Sequence, residues 1–165
     1  MILEAAQDFR LPYPGAPGAA RAFLRDPGRS LSRLPFLRDL SFAGGLVRAE
    51  LLVRVPMLGE VALPFASRVL DTEDGARLEP LTLPERLWAE VDGVGAVEEG
   101  TANPKPQLHY ALTLRAHLEL PQAERWGGAA FEKMLRETAR RTLERVAREF
   151  PAGVAAAAGA DGPAT

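Results

Sequence analysis

The sequence predicts an α+β domain. It combines a curved antiparallel β-sheet of about six to seven strands, two short helices after the first strand, and one long C-terminal helix across the concave face. Three observations predict this. Apolar and polar residues alternate with period two in one segment after another. Short turn signals join most of those segments as a meander. The last long segment, Gly127 to Phe150, changes to helical periodicity: Phe131, Leu135, Ala139, Leu143, Val146 and Phe150 recur at steps of three and four. Met134, Ala130 and Ala147 widen that stripe, and charged residues cover the rest. A helix of this kind after a run of strands needs a sheet to lie on.

The first strand is expected over Ile2–Leu11, with Leu3, Ala5, Gln7, Phe9 and Leu11 on one side and Glu4, Asp8 and Arg10 on the other. Pro12 to Gly18 supplies a turn. Ala19–Asp26 reads as a short helix burying Ala22 and Phe23, interrupted by Pro27-Gly28. A helical turn over Arg29–Leu34 buries Leu31 and Leu34. Strands then follow at Phe36–Ala43 and Leu46–Val55, joined by the hairpin signal Gly44-Gly45. Next come Glu60–Leu70, where Pro64 suggests an edge or a bulge, and the short strand Ala76–Leu81. In Arg86–Val97, Gly93 and Gly95 suggest bending or a bulge. Leu108–Leu120 alternates best of all, with Leu108, Tyr110, Leu112 and Leu114 on one face and His109, Thr113, Arg115 and His117 on the other. The final helix is entered through Pro121–Trp126, with Gly127-Gly128 a kink or the true start. Pro151 is expected to stop it, leaving one domain over 1–151 and a disordered Ala/Gly tail over 152–165.

Composition bounds the function. The 165 residues suit one core; 25% are charged and the formal net charge is −2, so no global attraction draws nucleic acid or an anionic membrane. Without cysteine there is no disulfide, thiolate catalysis or cysteine metal site. That absence fits a cytoplasmic location. Neither a signal peptide nor a run of the ~18–20 apolar residues of a membrane span is present. Apart from Lys105 and Lys133 the cations are Arg, a bias that a GC-rich genome produces by itself.

Candidate chemistry is sparse. His109 and His117 lie roughly 27 Å apart on the polar face of one strand, so they cannot share a metal, and solvated outer-face residues are the default reading. No zinc, calcium or phosphate-loop spacing occurs, and no metal or cofactor is expected. The acidic residues between Asp71 and Glu99 fall mostly in turns or on the outer face, away from the desolvation that acid–base work needs. Arg21, Arg25, Arg29, Arg33 and Arg38 make the short-helix region basic, which suits an anionic head group, a phosphate backbone or a second copy. A solvated face is the favoured reading.

Pro17-Gly18-Ala19-Ala20-Arg21-Ala22-Phe23-Leu24 after the first strand, Asp26-Pro27-Gly28, Leu34-Pro35 and the Gly-rich entry to the last helix resemble the START-like superfamily. This is the helix-grip fold of Bet v 1-like proteins, polyketide cyclases and lipid-transfer domains, and the likeness is strongest to small stand-alone bacterial members. It implies a cavity between sheet and helix for a hydrophobic or amphipathic, lipid-like or aromatic small molecule. Phe9, Phe42, Val53, Phe65, Tyr110, Leu112, Met134 and Leu135 would line it, and Gln7, Ser67, Tyr110 and Thr138 would supply its polar groups. The same residues suit a close-packed core equally well. Non-catalytic binding is the leading expectation. The alternatives are an enzyme of cyclase or hydrolase type, or an interaction module that forms a homodimer or docks a partner through the basic helices or a sheet edge.

Overall fold

The computed structural model describes residues 1–55, 59–100, 105–119 and 128–161. The chain runs β1 (Ile2–Pro12), α1 (Pro17–Leu24), α2 (Pro27–Ser30), β2 (Leu37–Ala43), β3 (Leu46–Val55), β4 (Gly59–Asp71), β5 (Gly75–Pro80), β6 (Leu87–Glu98), β7 (Gln107–Leu118) and α3 (Ala129–Asp161). One sheet of seven strands contains them in the order β1-β7-β6-β5-β4-β3-β2, every pair antiparallel. This is the helix-grip arrangement that the alternation and the closing helix predict.

The strands form where the sequence alternates. In β3, Val47, Ala49, Leu51, Val53 and Val55 are all buried and Arg48 and Arg54 exposed. β7 buries Leu108, Tyr110, Leu112, Leu114, Ala116 and Leu118. A period of two leaves one apolar face per strand, and α3 covers those faces by packing along β1 and β3. On α3, Leu135, Ala139, Leu143, Val146, Ala147 and Phe150 are buried, whereas Met134 is 51% exposed and Ala130 is exposed as well. The stripe is therefore narrower at its start than the sequence suggests.

Prolines and glycines act differently from expectation in three places, and Pro64 takes the edge alternative expected for it. Pro27 does not merely interrupt the first helix but opens α2, where a missing N–H costs nothing; α1 buries Ala20, Phe23 and Leu24 and leaves Ala22 exposed. Pro64 lies opposite Glu50 inside β4, with no bulge. Ala66 accepts the Leu81 N–H at 2.8 Å, so the even residues of β4 turn their backbone toward β5, and β5 pairs only with 67–71. The N–H that Pro64 lacks would point into that unpaired half.

Gly93 and Gly95 cause no bulge, since β6 and β7 pair without a shift from Leu87↔Leu118 to Glu98↔Gln107. They permit close approach instead: a Cβ on Gly93 would collide with Leu112 and the Ala111 carbonyl. The one register shift lies in β2 between Arg38 and Ser41, with Asp39 at φ 57°. Finally, α3 does not stop at Pro151 but includes it and continues to Asp161. Val154, Ala157 and Ala158 are buried there, and Gly153 sits against Leu34. The segment expected to be a disordered tail is thus docked helix through its described part; the stretches expected as a helix entry at 121–126 and as the chain end at 162–165 lie outside the described residues.

Candidate functional site

The region between the sheet and α3 is mostly filled. Phe65 and Ser67 are 2% and 0% exposed, and Leu135 is buried with Phe65 in the one core. Phe9 is partly buried and stacks on Tyr110, ring centroids 5.2 Å apart and nearly parallel; Phe42 is partly buried against the core. A void of about 20 Å³ remains, bordered by Tyr110, Leu112, Ser30 and Phe150, which is room for one water-sized group.

The polar groups of this interior are few. Ser67 donates its hydroxyl to the Val91 carbonyl at 2.7 Å. The Tyr110 hydroxyl has no hydrogen-bond partner among the described residues. Burial pushes its phenol well above the ordinary range, and the nearby Ser30 hydroxyl, itself buried, offsets little of that push. Tyr110 therefore stays protonated and can donate a hydrogen bond into the void. Ser30 was passed over as an interior group because its side chain is polar and Arg29 and Ser32 lie toward solvent, although it shares the buried helical side of Pro27, Leu31 and Leu34.

A larger space opens at the mouth. A groove of about 280 Å³ lies between β3–β4 and α3, with Phe36, Val53 and Val146 in its lining and Arg54, Glu60, Thr142, Arg145 and Glu149 around them. Phe36 and Phe150 pack with centroids 4.9 Å apart. Phe36 borders the groove and Phe150 the void, so the pair links the linings of the two. A third hollow of about 340 Å³ lies beside β1, bordered by Glu4 to Gln7, Glu144 and Arg148.

The eleven side chains expected around one cavity are thus dispersed. Tyr110 and Leu112 border the void, Val53 the groove and Gln7 the hollow at β1, while Phe9, Phe42, Phe65, Ser67 and Leu135 belong to the packed interior. Met134 is exposed, and the Thr138 hydroxyl turns back along the helix to donate to the Met134 carbonyl. They cannot roof a cavity.

The outer face carries the charges, as expected, but they are organised. His109 meets Asp8 at 2.9 Å and Glu98 at 3.1 Å; His117 meets Glu90 at 2.7 Å and stacks on Trp88. Arg10 pairs with Glu98 and Arg115 with Glu4. Through its hydrogen bond, Arg10 holds the Glu98 carboxyl below its ordinary value. Of the basic short-helix residues, Arg25 donates to the Thr72 and Gly75 carbonyls at the β4–β5 turn, and Arg38 pairs with Glu50. That role is structural, and it reduces the region's free positive charge. Among the described residues no group of His, Asp and Glu is disposed to hold a metal, and no helix is long and apolar enough to cross a membrane.

Fold and interior together define a helix-grip α+β protein with a nearly closed core and an open groove at its mouth. The chain belongs to the family described as "Protein of unknown function (DUF3809)", whose sequence profile matches residues 8–148. Solved structures share the fold. TTHA0849 from Thermus thermophilus superposes with a TM-score of 0.54 at 18% identity, covering 93% of this chain and 98% of that one. The Zhui aromatase/cyclase from Streptomyces gives 0.59 at 15% identity, covering 96% and 93%. The di-domain aromatase/cyclase StfQ of the steffimycin biosynthetic pathway gives 0.58 at 19% identity; 96% of this chain matches 50% of that one. No curated protein matches in sequence.

Proposed function

We propose that this protein binds a hydrophobic or amphipathic small molecule between sheet and α3, without transforming it, and that it is a member of the START-like superfamily. The observation that carries the reading is the groove of about 280 Å³. Its floor holds Phe36, Val53 and Val146, and charged groups of both signs stand at its rim. Small-molecule sites are mostly apolar and begin at about 300 Å³; this groove is more polar and just under that size, so it suits a single ring or a short chain with a polar end. The void of about 20 Å³ does not accommodate such a ligand by itself. The seat is therefore the mouth, rather than the deep cavity that the family likeness implies.

Binding is favoured over reaction by the interior's chemistry. Its buried hydroxyls among the described residues are those of Tyr13, Ser30, Ser67 and Tyr110. Ser67 is committed to Val91, and Tyr110 is held protonated. Tyr110 suits hydrogen-bond donation, but proton abstraction needs a base within reach. A cyclase or hydrolase reading would draw on hydroxyl groups, with Tyr110 and Ser30 at the void, and on no carboxylate or imidazole among the residues that line it.

Fluorescence titration with Nile red and with anilinonaphthalene sulfonate tests the proposal. The native chain should take up dye saturably. Thr142→Trp, which fills the groove from the helix side, should weaken uptake at least tenfold, while Met134→Trp on the outer face should not. Absence of saturable uptake, or equal effects of the two tryptophans, would overturn the proposal.

A further inference from the structure

The two edges of the sheet are protected unequally. β2 is short and broken by the register shift near Asp39, a device that discourages edge pairing. β1 has eleven residues and pairs with β7 without a shift from Ile2↔His117 to Pro12↔Gln107. Leu118 donates its N–H to the Met1 carbonyl at 2.8 Å, and Tyr13 donates to the Pro106 carbonyl at 2.9 Å. Odd residues of β1 therefore direct their backbone toward β7, and the backbone groups of Ile2, Glu4, Ala6, Asp8 and Arg10 face the other side, where no strand among the described residues pairs with them. The hollow of about 340 Å³ runs beside the middle of that side, at Glu4 to Gln7.

We infer that the open edge of β1 pairs antiparallel with β1 of a second copy, Glu4 opposite Arg10 and Ala6 opposite Asp8. The side chains select this register. Sliding by one step toward the N-terminus sets Glu4 against Asp8 twice, and by one step toward the C-terminus it sets Asp8 against Asp8, both like-charge contacts that disfavour pairing. In the chosen register the pairs 4↔10 and 6↔8, each occurring twice, exchange both N–H···O bonds. The ladder ends where Pro12, opposite Ile2, has no N–H to give. Glu4 already holds Arg115 at 2.7 Å and Arg10 holds Glu98 at 3.0 Å. The contact joins them into an alternating row of Arg115, Glu4, Arg10 and Glu98 across the two copies. Ile2, 59% exposed and the most exposed large apolar side chain described, comes to lie against Pro12 of the other copy. Glu144 and Arg148, which border the hollow from α3, carry opposite charges, so their pair presents no net charge to the other copy.

One strand pair is a small interface, so the dimer is concentration-dependent, with Kd in the range of about 1–100 µM. Sedimentation equilibrium of the full chain from about 5 to 500 µM should show the monomer–dimer exchange. Ala6→Pro removes an outward N–H and no β1–β7 bond, and it should raise Kd at least tenfold with an unchanged circular dichroism spectrum. Arg10→Glu should do the same by repulsion. Glu4→Arg with Arg10→Glu should restore pairing when Arg115→Glu and Glu98→Arg keep the pairs within each copy; this charge reversal decides the matter should the proline variant fold poorly. A chain that stays monomeric at every concentration, or a dimer indifferent to Arg10→Glu, would overturn the inference.

Discussion

Val154→Ala measures whether the helix beyond Pro151 belongs to the fold. Val154 is fully buried, and Ala157 and Ala158 on the same face are 4% and 1% exposed. Removing two methyl groups forfeits about 0.8 kcal/mol each in transfer, about 1.6 kcal/mol together. The hole left under a helix held by Gly153 against Leu34 raises the cost to about 2–3 kcal/mol. For a chain of this size each kcal/mol lowers Tm by about 2–4 °C, so the loss should be roughly 4–12 °C. Urea unfolding followed by circular dichroism reads the free energy, with the m value checked for constancy. Ala156→Ser on the exposed side should stay within about 0.5 kcal/mol of the native chain. If Val154→Ala also stays within about 0.5 kcal/mol, the segment contributes nothing to folding and the docked helix is refuted.

Three further outcomes follow from the same packing. Ser67→Ala leaves the Val91 carbonyl without the hydroxyl that bridges β4 to β6, and should cost about 1–3 kcal/mol in urea unfolding. Gly75→Ala drives a methyl into the Gly95 carbonyl and Leu24; the strands must part, and destabilisation beyond about 3 kcal/mol, or loss of folded protein, is expected in the same assay. Arg10→Ala should let the Glu98 carboxyl titrate closer to its ordinary 4.5, read by NMR. Because the folded value is depressed, Glu98 stabilises the fold above pH 4.5, and that contribution fades as the pH falls through the folded value. An unshifted Glu98 midpoint would show that Arg10 does not hold it.

The strands were most legible where burial follows a period of two, as in β3 and β7, and β3 spans Leu46–Val55 as its alternation indicates. What was hidden has particular causes. Alanine carries little hydrophobic signal, so Ala152 to Ala160 reads as low-complexity tail, yet its small side chains let α3 lie close to the chain around Leu34. Pro151 forbids one N–H bond in a helix but not the helix itself when the next turns are buried. The misplaced roof residues follow from the same oversight. With Val154, Ala157 and Ala158 included, the centre of the buried stripe rotates away from the side of Phe131. At 3.6 residues per turn Met134 then lies about 160° and Thr138 about 120° from that centre. Ser30 and the groove residues Phe36 and Thr142 come from separate segments that only the folded chain brings near the interior.

If the proposed binding holds, the Phe36–Phe150 pair bears on how deep a ligand can go. Phe36 precedes β2 and Phe150 sits on α3 directly before Pro151, so the pair joins the two elements whose separation would open the interior. Both rings are buried, at 5% and 2% exposure, and parting them to join groove and void exposes or repacks aromatic surface, which is costly. A ligand that stays in the groove requires no such change. One that reaches Tyr110 must offset that cost with a hydrogen bond to its hydroxyl and with its own apolar contacts. Under the proposed reading, this packing favours a ligand of groove size, and a ligand that also fills the void would need an oxygen or nitrogen acceptor for the Tyr110 hydroxyl.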